Sequence, residues 1–178
     1  SVIKDVTAGQ VLDHYDAIIR GLDKPPVIIG HSFGGGFTQV LISRGLGAAG
    51  VPIHSAPVRG IRDLPLATLR SSFPVLGNPL NVRKAVPLTE SQFRYAFGNT
   101  LSEADSKAAW QKYAVPAASK VLFQGAIANA WPGTPFKVDW TSDTRAPLFL
   151  LGGDQDHVVP GKVNAHNARK YSGARVDF

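Results

Sequence analysis

Apolar residues at Val11, Leu12, Tyr15, Ile18, Ile19 and Leu22 recur three or four positions apart, the spacing that lines one face of a helix. Thr7 and Gln10 stand where a capping box would open that helix, and Lys24-Pro25-Pro26 stops it. The period then changes. Val27-Ile28-Ile29 is a short, wholly apolar run, the pattern of a strand buried on both faces. A glycine-rich turn follows, Gly30-His31-Ser32-Phe33-Gly34-Gly35-Gly36, and beyond it Phe37, Val40 and Leu41 restore the helical spacing as far as Arg44-Gly45. Residues 51–57 read as a second short strand.

The texture shifts after that. From Arg59 to about Thr144 no strand alternation is visible, but helix starts are, at Thr89, Ser102 and Ser119, with prolines between them. Residues 147–153, Pro-Leu-Phe-Leu-Leu-Gly-Gly, form a third buried strand. Pro160 suits the first turn of a helix that Gly173 ends, and residues 174–178 begin a last strand. That order predicts an α/β architecture, a mostly parallel sheet with helices on both faces. Residues 1–58 and 145–178 would build the core, with residues 59–144 as a helical insert between them.

Composition narrows the class. At 178 residues the chain is one domain by length, and 44% apolar with 18% charged residues belongs to a globular protein. No apolar run approaches the roughly 20 residues that cross a bilayer. The absence of cysteine excludes a disulfide frame, a thiolate metal site and a cysteine nucleophile. The net charge is +6, yet no basic run exceeds the pairs Arg83-Lys84 and Arg169-Lys170. A solvated basic surface, not a nucleic-acid partner, is the expectation. Ser1 follows no signal-peptide pattern and no methionine is present. The expectation is therefore that residue 1 is not the natural start, with a cytoplasmic location.

The glycine-rich turn carries the candidate chemistry. Gly30-His31-Ser32-Phe33-Gly34 fits G-x-S-x-G between a strand and a helix. In such an elbow a serine hydroxyl is lifted clear of the sheet, and side chains two residues either side are expected to clash, hence glycine at both. The helix that follows aims its N-terminus at the serine, so the Phe33 amide can hold a developing oxyanion. A phosphate-cradling loop fails on detail. Gly36 is followed by Phe37 and Thr38 with no lysine, and no G-x-G-x-x-G is present.

A serine needs a base and the base an orienting acid. Asp154 and Asp156 both follow the strand at 147–153, at the end where open parallel sheets place their sites. Asp156 is the preferred acid, the competing role being a cap for the helix near Pro160. No cluster of His, Asp and Glu has metal-ligand spacing, so no metal or other cofactor is expected.

"GHSFGG" and "GGDQDHVVP", with a helical segment between them, resemble the α/β-hydrolase fold family over essentially the whole chain. They are most similar to its bacterial esterase, lipase-like and cofactor-free chloroperoxidase-like branch. The resemblance implies Ser32 as nucleophile, Asp156 as acid, the Phe33 amide in the oxyanion hole and residues 59–144 as a cap. His31, Phe93, Phe97, Trp110, Phe123 and Trp131 are the candidates to line a substrate pocket.

The implied function is hydrolysis of a small acyl substrate, with a perhydrolase-type activity or a non-catalytic ligand-binding role as alternatives. The family's base follows the last strand, and the sequence stops at Phe178 inside that strand. Its first strands also have no counterpart upstream of Asp5. The expectation is a chain lacking the base, one oxyanion donor and those strands, completed by further segments of its own fold or by another chain. Of the five histidines, His14 is expected on the surface or in packing, His166 in solvent, His31 in local packing or bonding, and His54 in packing, with a place facing the pocket as its alternative. His157 should turn away from the serine–acid line.

Overall fold

Thr7 opens α1 (Ala8–Arg20) as the pattern predicts: its hydroxyl accepts the Gln10 amide, and the Gln10 side chain accepts the Thr7 amide. The structure, a computed structural model, describes residues 2–178. Only Ala8 and Leu12 of this helix are buried, while Tyr15, Ile18 and Leu22 stay about half exposed. The apolar stripe is thus wider than the face it buries.

β1 (Val27–His31) runs into α2 (Phe33–Ser43), and β2 (Ala49–Ile53) follows. A long helical insertion comes next, holding α3 (Leu66–Leu76), β3 (Ala85–Val86), α4 (Glu90–Ala96), α5 (Glu103–Tyr113), β4 (Ala117–Ala118) and α6 (Ser119–Ala126). The chain then returns through β5 (Leu148–Phe149), α7 (Gly161–Lys170) and β6 (Val176–Asp177). The helix starts expected at Thr89 and Ser102 are realised, each hydroxyl accepting an amide three residues on. β3 and β4 pair antiparallel, a contact between two-residue strands too short to leave an alternation.

The main sheet has the order β1-β2-β5-β6, with every pairing parallel. Ile28, Gly50, Leu148 and Val176 are cross-strand partners and share one face. Ile42 of α2 and Ala168 of α7 pack onto that face. Gly50 is needed there, because a Cβ on it would lie 2.7 Å from Leu148 Cδ2 and 2.8 Å from Ile42 Cγ1. α2 is the central helix, buried from Gly35 through Ile42. Its Phe37, Val40 and Leu41 join Leu12, Val58, Ile61 and the wholly buried Phe136 in the larger core. Emptying the space of a buried phenyl such as Phe136 costs about 3–5 kcal/mol.

The other face differs from the sequence reading. Val27 and Ile29 are 57% and 66% exposed, and Phe149 is 46% exposed, so the run at Val27 is not buried on both sides. The physical reason is topological. β1 is an edge strand with one partner, and no described element covers those side chains.

Three boundaries also move. The second strand spans Ala49–Ile53 rather than 51–57, because His54 turns the chain at φ 45°. The third pairs only at Leu148 and Phe149, with a bridge from Leu151 to Ile53. α7 ends at Lys170, before Gly173, where Tyr171 is already extended.

Behind the sheet lies a buried polar network. Gln39 donates to Ser55 Oγ (2.7 Å) and accepts from Asn167 (2.7 Å) and from the Tyr171 hydroxyl (2.9 Å). Burial pushes the Tyr171 phenol far above its usual range, opposed by the Arg145 guanidinium 4.5 Å from its ring.

Candidate active site

Ser32 occupies a backbone conformation that L-residues rarely adopt, φ 55° and ψ −120°, at a cost of order 1–3 kcal/mol. The surrounding hydrogen bonds hold it there. Its amide donates to Ile53 O (3.0 Å), and its carbonyl accepts from Gly35 (2.9 Å), Gly36 (3.2 Å) and Ala56 (2.9 Å). The end of β2, the turn after it and the first turn of α2 therefore all fasten Ser32. Ser32 is the N-cap residue of α2, yet its side chain makes no capping bond, which leaves the hydroxyl free. Phe33 N–H, the first in the helix, is one of the donors that no intrahelical carbonyl can satisfy. The Phe33 ring turns inward onto Phe37 and Phe136.

The two elbow glycines prove unequal, which corrects the expectation that both are sterically forced. A Cβ on Gly30 would sit 2.1 Å from Gly34 O and 2.5 Å from Thr38 Oγ1, whereas one on Gly34 would meet nothing within 4 Å. Gly30 lies inside the elbow, and Gly34 points outward from the first turn of α2. Gly30→Ala is expected to destabilise by about 3 kcal/mol, at the upper end for overpacking. Gly34→Ala should stabilise by about 0.5–1 kcal/mol through lower chain entropy. Thermal denaturation of the two variants checks the pair, and equal melting shifts would refute the asymmetry.

Asp156 sits in the turn after β5. Its Oδ1 accepts the amides of Val158 (2.7 Å) and Val159 (2.9 Å), and its Oδ2 lies 2.8 Å from His54 Nδ1. With its side chain 12% exposed, the carboxylate has every oxygen engaged and one orientation. Asp154, by contrast, is exposed.

His54 lines the cavity, the alternative to its packing expectation. Expected to pack locally, it instead leaves β2 at φ 45° and pairs with an acid 102 positions away. Gly153 makes room for its ring, since a Cβ there would fall 2.7 Å from His54 Cε1. His166 lies at the surface as expected, its side chain 40% exposed and its Nδ1 2.5 Å from Asp63 Oδ2. His157 does turn away, stacking on Tyr95 and bonding Tyr95 O at 2.7 Å. His14 is exposed beside Tyr15.

Ser32, His54 and Asp156 line one cavity of about 410 Å³, together with His31, Ala96, Phe97, Val158 and Val159. Its volume falls within the range of small-molecule sites. No hydrogen bond joins Ser32 Oγ to a histidine among the described residues.

Of the pocket candidates, His31 and Phe97 line this cavity; Phe93, Trp110, Phe123 and Trp131 do not. Phe93 packs on Phe97 with ring centres 5.5 Å apart. The Trp110 indole donates to Leu88 O at 2.9 Å, within the insertion. Phe93 and Trp110 thus serve the packing of the insertion itself, because a short helix turns its largest apolar groups toward its neighbours. A larger groove of about 700 Å³ between α2 and residues 134–141 contains none of the candidate residues. No group of three or more His, Cys, Asp or Glu is placed to hold a metal ion among the described residues. Among the described residues, no helix is long and apolar enough to cross a membrane.

Compared with known proteins, residues 4–177 match the family model described as "Alpha/beta hydrolase family". No curated protein matches the chain. Among solved structures, a monoacylglycerol lipase from Paleococcus ferrophilus is similar at TM-score 0.57 and 14% identity, over 97% of this chain and 65% of that one. A meta-cleavage product hydrolase from Pseudomonas fluorescens is similar at 0.55 and 15%, over 97% and 63%. Polyneuridine aldehyde esterase is similar at 0.56 and 14%, over 98% and 71%. The chain thus spans a little under two thirds of the first two. At such identities the likeness is one of fold.

Proposed function

The chain belongs to the alpha/beta hydrolase family, and on that premise we propose that it is a serine hydrolase of carboxylic esters or related acyl compounds, acting through an acyl-enzyme on Ser32. The observation that carries the reading is the strained Ser32 peptide, with an uncommitted hydroxyl at a cavity that also holds an Asp–His pair. Strain of this kind persists only where surrounding structure enforces it, and it gathers at reactive positions. The words lipase and esterase in the names of two similar structures support an ester as substrate.

In the proposed reaction Ser32 Oγ attacks the ester carbonyl while a histidine base takes its proton. Charge moves to the carbonyl oxygen, where the Phe33 amide and the N-terminus of α2 stabilise it. The C–O bond to the alcohol breaks as the base returns the proton to that oxygen. Water then repeats the sequence on the acyl-enzyme and releases the acid. Asp156 keeps the imidazole oriented and supports its positive charge.

A fluorophosphonate probe tests the reading. Covalent labelling at Ser32, together with turnover of a chromogenic ester, is the expected result. Absent labelling with binding of small acyl ligands would favour the non-catalytic alternative.

Residues 59–144 are proposed as the cap, with Phe97 as its contact to the acyl chain. Phe97→Ala should shift preference toward longer acyl chains while changing the rate on an acetate ester less than about tenfold. Trp110→Ala and Trp131→Ala should leave the preference unaltered. A chain-length profile indifferent to Phe97 would remove it from the pocket.

A further inference from the structure

We propose that Gln39 and Asn164 are positioning residues for Ser32, gripping Ser55 from two helices so that the turn after β2 holds the strained elbow in place; this rests on the reading of Ser32 as nucleophile.

The row of contacts is short. Ile53 O accepts the Ser32 amide at 3.0 Å, and the Ala56 amide donates to Ser32 O at 2.9 Å. Between those two residues lies Ser55, buried and held at both of its polar ends. Its amide donates to Asn164 Oδ1 of α7 at 3.0 Å, and its Oγ accepts from Gln39 Nε2 of α2 at 2.7 Å. The Ser55 hydroxyl donates in turn to Ala56 O at 3.0 Å.

The donors and acceptors fix one direction along this row. Ser55 has a single hydroxyl proton, and Ala56 O takes it, so Gln39 must present its amide nitrogen to Oγ. Its oxygen then faces Asn167 Nδ2 and the Tyr171 hydroxyl, both donors. Every bond points toward the turn that fastens Ser32, and bonds aligned in this way strengthen one another.

Close packing removes the slack. A Cβ on Gly35, in the first turn of α2, would lie 2.9 Å from Ser55 Cα, so the helix rests directly on Ser55. A Cβ on Gly152 would lie 3.3 Å from Asn164 Cβ, which wedges Asn164 against the chain leading to the Asp156 turn. The first amide of α7, Gly161, also donates to Gly153 O at 3.0 Å. One helix is thereby registered to the turn that bears Asp156 and, through Ser55, to Ser32.

As a stabilising device the network is poor. Asn164 Nδ2 and Asn167 Oδ1 are buried without a protein partner among the described residues, and a half-satisfied polar network is worse for stability than apolar packing. What it supplies is direction, because an apolar side chain can fill the space but cannot orient a peptide. Ser32 at φ 55° depends on that orientation, since such strain persists only where the surroundings enforce it.

The test takes wild type, Asn164→Ala, Asn164→Asp, Gln39→Met, Tyr171→Phe and Ser32→Ala through ester kcat and KM, fluorophosphonate labelling rate and thermal melting, with rates expressed per folded molecule. We expect Asn164→Ala and Gln39→Met to lower kcat and labelling rate together by about 10–100-fold, the effect of a small misplacement at the reacting atom, with KM changed less than about threefold. Methionine conserves the volume of Gln39, so this variant decides the matter should Asn164→Ala fail to fold. Asn164→Asp keeps an oxygen for the Ser55 amide and should regain kcat to within about fivefold of wild type, although burying a carboxyl lowers its melting temperature. Tyr171→Phe removes a bond to Gln39 but leaves Ser55 held, and should melt lower with kcat changed less than about twofold.

Wild-type kcat and labelling rate in Gln39→Met would overturn the proposal. So would losses that follow melting temperature across the whole set, Tyr171→Phe included, because a merely structural role predicts that order. Failure of Asn164→Asp to recover activity, beside an unimpaired Gln39→Met, would overturn it as well. A wild type that neither labels nor turns over ester, or a Ser32→Ala that stays active, would defeat the serine reading and this proposal with it.

Discussion

Ser32→Ala is expected to lower kcat/KM on a chromogenic short-chain ester by four to six orders of magnitude, roughly 5–8 kcal/mol of transition-state stabilisation. The fold should survive, for two reasons visible in the structure. The hydroxyl makes no capping bond, so its loss orphans no backbone donor. Alanine also keeps the Cβ, so the strain at φ 55° is neither relieved nor increased. The measurement is steady-state turnover beside a melting curve. Residual activity above about one percent, in a protein that still melts normally, would sink the assignment, because members of a catalytic triad act as a unit.

The second large effect belongs to the acid. Asp156→Asn should cost about 10⁴-fold in kcat, while Asp154→Asn should change it less than about threefold. Asparagine can keep accepting the Val158 and Val159 amides through its oxygen. Its amide nitrogen, a donor, then stands where the carboxylate oxygen lay 2.8 Å from His54 Nδ1, so it can no longer accept from an imidazole N–H or support its positive charge. Asp154 is exposed, and solvent can replace whatever it contributes. Equal losses in the two variants would show that the turn as a whole matters rather than the Asp156–His54 contact. An inactive Asp154→Asn beside an active Asp156→Asn would reverse the roles.

How much of this the chain announces depends on where each constraint lives. The elbow is legible because its cause is local: Gly30 meets Gly34 O four residues on, within a single strand–turn–helix unit. The parallel order of the sheet is legible for a related reason, since each strand declares itself as an apolar run bounded by breakers. His54 is not legible. Its partner lies 102 residues away, and it stands in an apolar context that reads as packing. Its positive φ falls on neither Gly nor Asn, so no local signal marks the turn. The pocket lining fails for the opposite reason. Aromatic spacing pointed to Phe97, which lines the cavity, but applied equally to Trp110 and Trp131, whose direction is set by neighbours that periodicity does not record. Exposure of Val27 and Ile29 escapes too, because an apolar run states a strand's preference for cover and not whether cover is supplied.

β2 and β5 pair directly although some ninety residues separate them, with Gly50 opposite Leu148 and Ile53 bridged to Leu151. The insertion therefore departs and returns at adjoining strand ends, hinged on two stubs that the sheet already clamps. Lengthening or replacing what hangs there costs little more than the entropy of closing a longer loop, which grows only with the logarithm of its length. The elbow and the Asp156 turn, by contrast, are tied into the sheet peptide by peptide. The insertion's share of the cavity wall, Ala96 and Phe97, can thus be exchanged wholesale while the share tied into the sheet, Ser32 and Asp156, stays in place.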